Sequence, residues 1–355
     1  MSTGTHKSTR IPTTEPSLPL FFVHVGGAND ARKAALAHDL GTLIWRGKAG
    51  ADLIAELEAD PVTGADALLD FATYEHQQSG KDGAISVPVR ASRMATSFVP
   101  GYFADHREPH ELDRWLDESI ATTESLRGSG LLGELVPTVA LTQQWLVKTD
   151  LLDHLIDVIS SFEDPVAIVL ASSNNPLGAA EQIRGAVDLV RSTGNVIALR
   201  SDEAAVGLLA HGALLAAVGS SSTTRHLFYG RPSSKPKRLP GHEVFHPLTM
   251  SWIKHYRLDV FVVPTEDLLC QCAVCDGRSI LRFADPSLIG DVVAHSVLCL
   301  QNLASGVMAS TDPASAWIER CAEAADAADR LNGVVDQFNL GRSAKAWRSA
   351  LQPSF

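Results

Sequence analysis

The chain is short of the residues that mark secreted, membrane-spanning or nucleic-acid-coating proteins. Five cysteines in 355 residues are too few for a dense disulfide framework. Three of them, Cys270, Cys272 and Cys275, are bunched where neighbouring thiols in a C-x-C cannot easily bridge each other. Basic residues are in deficit, 30 Lys and Arg against 41 Asp and Glu, for a net charge of -11. That balance argues against tight, indiscriminate binding to nucleic acid but leaves room for a local basic groove. No apolar run approaches the roughly 18 residues of a membrane span, and the polar opening stretch lacks the apolar core of a signal peptide. A cytoplasmic protein with no membrane partner is expected. Two phosphate-binding motifs are also missing. Val25-Gly26-Gly27-Ala28-Asn29-Asp30 offers two glycines but no G-x-G-x-x-G, and no G-x-x-x-x-G-K-[ST] occurs anywhere.

What is present is a chain 45% hydrophobic and 20% charged, able to bury a large core as one big domain or two ordinary ones. Residues 1–18 are polar, rich in Ser, Thr and Pro, and read as a disordered tail. Leu20 to Val25 is a short apolar run ended by two glycines, a buried strand feeding a turn. From Val136 to Gly219, apolar runs alternate with amphipathic stretches. The strands are expected at Val136–Leu141, Val166–Leu170, Val196–Leu199 and Ala213–Val218. Leu152, Leu155, Ile156 and Ile159 form one helical stripe between them, and Ile183, Ala186, Val187 and Val190 form another. Asn175 is the expected N-cap of the second helix, with Pro176 at its first position and Gly194 after its end. A strand, helix, strand repeat of about 30 residues, apolar on both strand faces, implies parallel strands covered by helices. A (β/α)8 barrel and an open doubly wound sheet both satisfy that pattern. Without a dinucleotide fingerprint the barrel is the better reading.

The most specific feature is Cys270-Gln271-Cys272-Ala273-Val274-Cys275, followed by His295 on an expected helix. Three cysteines and a histidine are the donor set of a closed, tetrahedral structural zinc site. Cys270 and Cys272 stand on opposite sides of an extended chain, so both reach one ion only where the backbone turns sharply. Cys299 lies one turn beyond His295 on the same helical face and could take its place as fourth ligand. Cys321 sits in an Ala-rich helical stretch, Ala314 to Leu331, as a core residue. The expected layout is a barrel over 19–263, a zinc-binding subdomain over 264–310 and a helical segment over 311–355.

Two further groups of residues are candidates for chemistry. Arg225, His226, Arg231, Lys235, Lys237 and Arg238 make a local basic loop in an acidic protein, rich in Pro, Gly and Ser. If the loop leaves the C-terminal end of a barrel strand, it lies on the face where barrel enzymes place their sites, and Arg225, Arg231, Lys235, Lys237 and Arg238 are candidate phosphate contacts. Asp202 follows another expected strand. It could serve as base or nucleophile, or, with Glu203, fill the acidic first turn of a helix.

A late C-x-C-x-x-C with a helix-borne His, behind an expected barrel, resembles the tRNA-guanine transglycosylases, the queuine- and archaeosine-type base-exchange enzymes. The stretch from Ile197-Ala198-Leu199-Arg200-Ser201-Asp202-Glu203 through Gly207 to Leu215 is similar to the family's final βαβ segment. Thr224-Arg225 resembles the Thr-Arg after the last strand. His295-Ser296 with Leu303-Ala304-Ser305-Gly306 resembles the zinc histidine and its helix. The likeness covers about 110 residues, Val196 to Gly306. It implies exchange of guanine for a 7-deazaguanine in tRNA or DNA, zinc as cofactor, and a homodimer or a heterodimer with a catalytic subunit. It also places Gln143 and Gln144 where the family has a base-recognising glutamine.

The departures bear on activity. In the family the last strand ends in an aspartate that attacks the anomeric carbon. With Gly212 on the family's glycine, that position here is Ala217. The family's base-reading Asp-Ser-Gly-Gly-Phe has only a faint counterpart in Asp70-Phe71-Ala72-Thr73-Tyr74, and the alternative reading puts that segment in a helix starting near Thr63. The spacing from Cys275 to His295 is shorter than the family's. Two expectations follow: a divergent transglycosylase whose carboxylate comes from Asp70 or Asp202, or a catalytically inactive zinc-containing accessory subunit or nucleic-acid-binding module.

Overall fold

The computed structural model describes residues 21–25, 43–46, 67–70, 96–99, 103–104, 110–128, 134–173, 175–229, 242–260, 266–332 and 339–352. The expected tail at 1–18 lies outside them. The protein has an α/β fold organised by a parallel sheet. Its strands are β1 (Phe21–Val25), β2 (Leu43–Arg46), β3 (Ala67–Asp70), β4 (Thr96–Val99), β5 (Phe103–Ala104), β6 (Glu134–Thr142), β7 (Val166–Ser172), β8 (Val196–Ser201), β9 (Leu215–Gly219) and β10 (Leu227–Phe228). Every pairing in this sheet is parallel. The pairings run β1–β2–β3–β4–β6–β7–β8–β9, and β9 pairs back onto β1 through Phe21 with Ala216 and Val23 with Val218. A barrel is compatible with that cycle. β5 and β10 are short additions beside β6 and β7.

The stretch from β6 to β9 shows why these runs became strands and helices. Val166 to Ser172 and Val196 to Ser201 are buried along their whole length, as parallel strands covered on both faces must be. Successive side chains divide between two apolar clusters. Val166, Ile168, Val196, Ala198, Ala216 and Val218 join the large core with the helices, while Ala167, Val169, Ile197, Leu199, Leu215 and Ala217 meet on the opposite face. The period of two residues is the pleat itself. The helices over the first face are α1 (His110–Gly128), α2 (Thr149–Ser160), α3 (Ala180–Thr193) and the short α4 (Ala204–Ala210). The expected stripes bury Leu155 and Ile159 on α2, and Ile183, Ala186, Val187 and Val190 on α3.

The start of α3 differs from expectation. Asn175 does not cap it. Its Oδ1 accepts from Leu177 N at 2.8 Å and its carbonyl from Gly178 N at 3.2 Å, a self-contained turn. The helix begins at Ala180, where Gln182 Oε1 accepts from Ala179 N. An Asx-type turn competes for the same side chain that a cap would use, and here it wins. The end is as expected: Gly194 closes α3 with φ +67, a conformation glycine adopts without a Cβ penalty.

After β9 come the single turn α5 (Ser222–Arg225) and β10. A hairpin follows, β11 (Glu243–His246) with β12 (Ser251–Lys254), antiparallel and separate from the main sheet. Among the described residues, three α-helices follow: α6 (Ile289–Met308), α7 (Pro313–Asn332) and α8 (Arg342–Leu351). Cys321 is fully buried on α7, as expected of a core residue. By length and composition alone, the helical stretch Pro286–Met308 could cross a bilayer. Its buried positions include His295, Ser296, Cys299 and Leu300, turned towards the protein core.

Candidate metal centre and the neighbouring sheet end

The cysteine segment folds as a tight knuckle. Gly277 N donates to Cys270 O at 2.9 Å, and Asp276 N to Cys272 O at 2.9 Å. Asp276 and Gly277 both take positive φ, 51° and 76°; this is the sharp reversal that brings alternate thiols to one point, and it needs glycine at the second position. Two arginines clamp the knuckle's carbonyls. Arg278 donates from Nε to Cys275 O at 2.7 Å and from Nη2 to Val274 O, and Arg282 Nη2 also donates to Val274 O.

Helix α6 brings the imidazole to this knuckle. His295 Nε2 donates to Phe245 O at 2.8 Å, and Phe245 N donates to Ser296 Oγ at 3.2 Å, so both backbone groups of one β11 residue are held by α6. With Nε2 engaged in this way, Nδ1 faces the sulfurs, the carbonyl-oriented arrangement common to metal-ligating histidines. His295 Nδ1 lies 3.7 Å from Cys270 Sγ, 3.4 Å from Cys272 Sγ, 3.3 Å from Cys275 Sγ and 3.6 Å from Cys299 Sγ. Cys270 and Cys299 sulfurs are 3.7 Å apart. A tetrahedral ion such as zinc, with bonds of about 2.3 Å to sulfur and about 2.0 Å to nitrogen, has S···N edges of roughly 3.6 Å and S···S edges of roughly 3.8 Å. The cluster therefore fits a metal ion. The ligand atoms of Cys270, Cys272, His295 and Cys299 lie within 4.8 Å of one another, all in buried residues.

The electrostatics of the cluster favour a cation. Cys270 is drawn down to about 5; its contact with Cys272 opposes that shift, and its contacts with Cys275, Cys299 and His295 carry it. Cys272 is also drawn down, while Cys275 and Cys299 are pushed up by the neighbouring Cys270 and Cys272 and by burial. Burial pushes His295 down, but the sulfurs of Cys270 and Cys272 outweigh it and hold the imidazole at about 9. Thiols this close cannot all ionise, and a dication among them is the charge that would allow another to do so.

The other expected site residues sit on separate elements. Asp70 is buried at the C-terminal end of β3, in register with Arg46 of β2 and Phe98 of β4. It belongs to a strand and not to a helix from Thr63. Asp202 follows β8, four pairings from β3 in either direction round the cycle. Its Oδ1 accepts from Ala204 N at 3.0 Å, so it caps the turn into α4, and burial raises its pKa against that bond and the pull of Arg225. Gln143 lies in the 3-10 turn after β6, where its Oε1 accepts from Ser172 Oγ at 2.7 Å. Gln144 follows it, half-buried.

Arg225 is not on an exposed loop. It is buried, ion-paired with Glu243, and its guanidinium lies 3.9 Å from the centre of the Trp252 ring. Trp252 Nε1 in turn donates to Glu203 Oε2 at 3.0 Å. Burial draws Arg225 down to about 10 against the opposing charges of Asp202 and Glu203, and burial followed by the charge of Asp202 raises Glu203 to about 8. This network joins the end of β8 to the hairpin. Adjacent acids at 202 and 203 hinted at it; nothing in the sequence pointed to Trp252 or Glu243. Arg231, Lys235, Lys237 and Arg238 lie outside the described residues.

Ala217 is fully buried on the sheet face turned away from the helices, and Leu227 of β10 packs into the same cluster. The chain folds tightly over the end of β9. A Cβ on Gly219 would meet backbone atoms of Thr224 and Arg225 at 2.2 and 2.3 Å, so only glycine allows that approach.

No family model matches the chain, and no curated protein matches it. Among solved structures, a type I 3-dehydroquinate dehydratase from Clostridium difficile, crystallised with covalently modified comenic acid, is similar over 59% of this chain and 88% of its own length. The identity is 10% and the TM-score 0.35, a likeness too slight to carry a fold or functional assignment.

Proposed function

We propose that this protein is a zinc-containing (β/α)8-barrel protein of the tRNA-guanine transglycosylase type that has no catalytic centre of its own. It would act as an accessory subunit or nucleic-acid-binding module beside an active partner. The observation that carries this reading is Ala217. It stands where the resemblance requires a nucleophilic carboxylate, fully buried in one apolar cluster with Ala167, Val169, Ile197, Leu199 and Leu227. An alkyl group in an apolar cluster can neither attack a sugar carbon nor activate a group that does. Asp202, the nearby carboxylate the sequence offers as a stand-in, caps the turn into α4 through Oδ1. Support for the barrel comes from the pairing cycle, and support for zinc from the thiol-rich donors and their tetrahedral spacing. The ion would tie the knuckle to α6 and, through His295 and Phe245, to the hairpin.

A second reading retains catalysis through Asp70, which is buried at a strand end where barrel enzymes keep their functional groups. The two are separated by a base-exchange assay with the zinc-loaded protein, labelled guanine and separate pools of tRNA and duplex DNA. The accessory reading expects nucleic-acid binding without incorporation. Incorporation into either pool, abolished by Asp70→Ala, would establish an enzyme with a relocated nucleophile.

A further inference from the structure

The cluster holds five donors, one more than a tetrahedral ion uses. Cys270 Sγ, Cys272 Sγ and His295 Nδ1 form a triangle. Cys299 belongs to the set of mutual neighbours with them, and Cys275 is outside that set although its sulfur is 3.3 Å from Nδ1. Cys299 Sγ lies 3.7 Å from Cys270 Sγ and within 4.8 Å of Cys272 Sγ, while the knuckle turn, with Cys275 N donating to Cys272 O at 3.0 Å, sets Cys275 beside Cys272. The two thiols come from different elements: Cys275 from the knuckle, Cys299 from α6, one turn beyond His295.

The geometry points to two tetrahedral donor sets sharing one face, Cys270, Cys272 and His295, which Cys275 completes in one set and Cys299 in the other. This rests on the metal reading of the same site. An ion in one set reaches the other by passing through the shared triangle. The incoming thiol loses its proton as it binds and the departing thiolate takes one up, so the charge of the site is unchanged. The shared donors are therefore indispensable and the two outer thiols stand in for each other. The ion can exchange its fourth ligand without the knuckle letting go of α6.

The test is zinc content and chelator competition on the full chain, in wild type, Cys275→Ser, Cys299→Ser, the double variant and Cys272→Ser, with far-ultraviolet circular dichroism to check folding. Cobalt(II) loading reports the donors through sulfur-to-metal charge-transfer bands. Wild type and both single variants are expected to retain one ion per chain with a three-sulfur, one-nitrogen spectrum, the singles within about tenfold of wild type in apparent affinity. The double variant and Cys272→Ser are expected to lose more than about a hundredfold, beyond the cost of disturbing an outer-sphere partner. If either single variant loses as much as the double, the stand-in is overturned while the metal site remains. If a single variant does not fold, the wild-type spectrum decides. Four sulfurs held at once, or three with no change on alkylating the remaining thiol and then adding chelator, would also overturn it. No ion in wild type would defeat the metal reading itself.

Discussion

Two buried regions of the molecule differ completely in chemistry. The face of β6–β9 turned away from the helices is lined by alanine, valine, leucine and isoleucine. The cluster between the knuckle and α6 packs four sulfurs round one imidazole nitrogen. Each is held differently. The apolar face is stabilised by area removed from water, at about 25 cal/mol per Å², and tolerates no charge. The cluster is rich in groups costly to bury alone, which become stabilising once an ion joins them. One region is sealed by apolar packing, and the other gathers its polar donors where the knuckle, α6 and the hairpin are tied together.

The sharpest way to break this contrast is to remove a shared donor. Cys272→Ser is expected to abolish stoichiometric zinc and to cost about 4 kcal/mol or more, a fall in Tm of roughly 8 °C or more by differential scanning calorimetry. Unchanged Tm would mean that the ion does not hold the fold. The network between the regions comes next. Arg225→Ala leaves half-buried Glu243 without its cation and removes the cation on Trp252, for an expected loss of about 2–4 kcal/mol in urea unfolding. A loss under about 1 kcal/mol would place Arg225 at the surface after all. On the apolar face, Ala217→Asp introduces a carboxylate among aliphatic groups. It is expected to destabilise by about 3 kcal/mol without producing base exchange; a stable variant with activity would show an open, water-filled mouth at that strand end.

The smallest effect sharpens the same comparison through pH. Glu203 is raised to about 8 in the folded protein, by burial first and the charge of Asp202 second. A carboxyl raised on folding binds its proton more tightly in the native state. Its contribution is therefore full below the unfolded value near 4.5 and is lost as pH rises through about 8. Wild-type Tm measured from pH 5 to 8 should carry this downward component, and Glu203→Gln, which can still accept from Trp252 Nε1, should flatten it. An identical slope in both proteins would assign the pH dependence elsewhere.

Much of this was legible in the chain. Apolar runs bounded by turn residues located β1 and β6–β9, and the 3.6-residue stripes located α2 and α3, because periodicity is a local consequence of backbone geometry. The donors were legible for a related reason. Three thiols within six residues can hardly avoid each other once the backbone turns, and Cys299 follows His295 at helical spacing. Asp70 was harder to place, since Ala67–Asp70 is too short for either period to show. The start of α3 was misplaced because Asn175 can satisfy a turn as well as a helix end.

The sequence by itself determined that β1 and β6–β9 would be strands, that α2 and α3 would be helices, and that a thiol-rich site would form, since each depends on neighbours a few residues apart. Only the tertiary structure decided that β9 closes on β1, that Ala217 faces an apolar cluster, and that Arg225 is buried against Glu243 and Trp252. Those outcomes depend on contacts between residues tens to hundreds of positions apart. Such contacts form only after the chain has paid the entropy of bringing distant segments together, and no local pattern records which of them will do so.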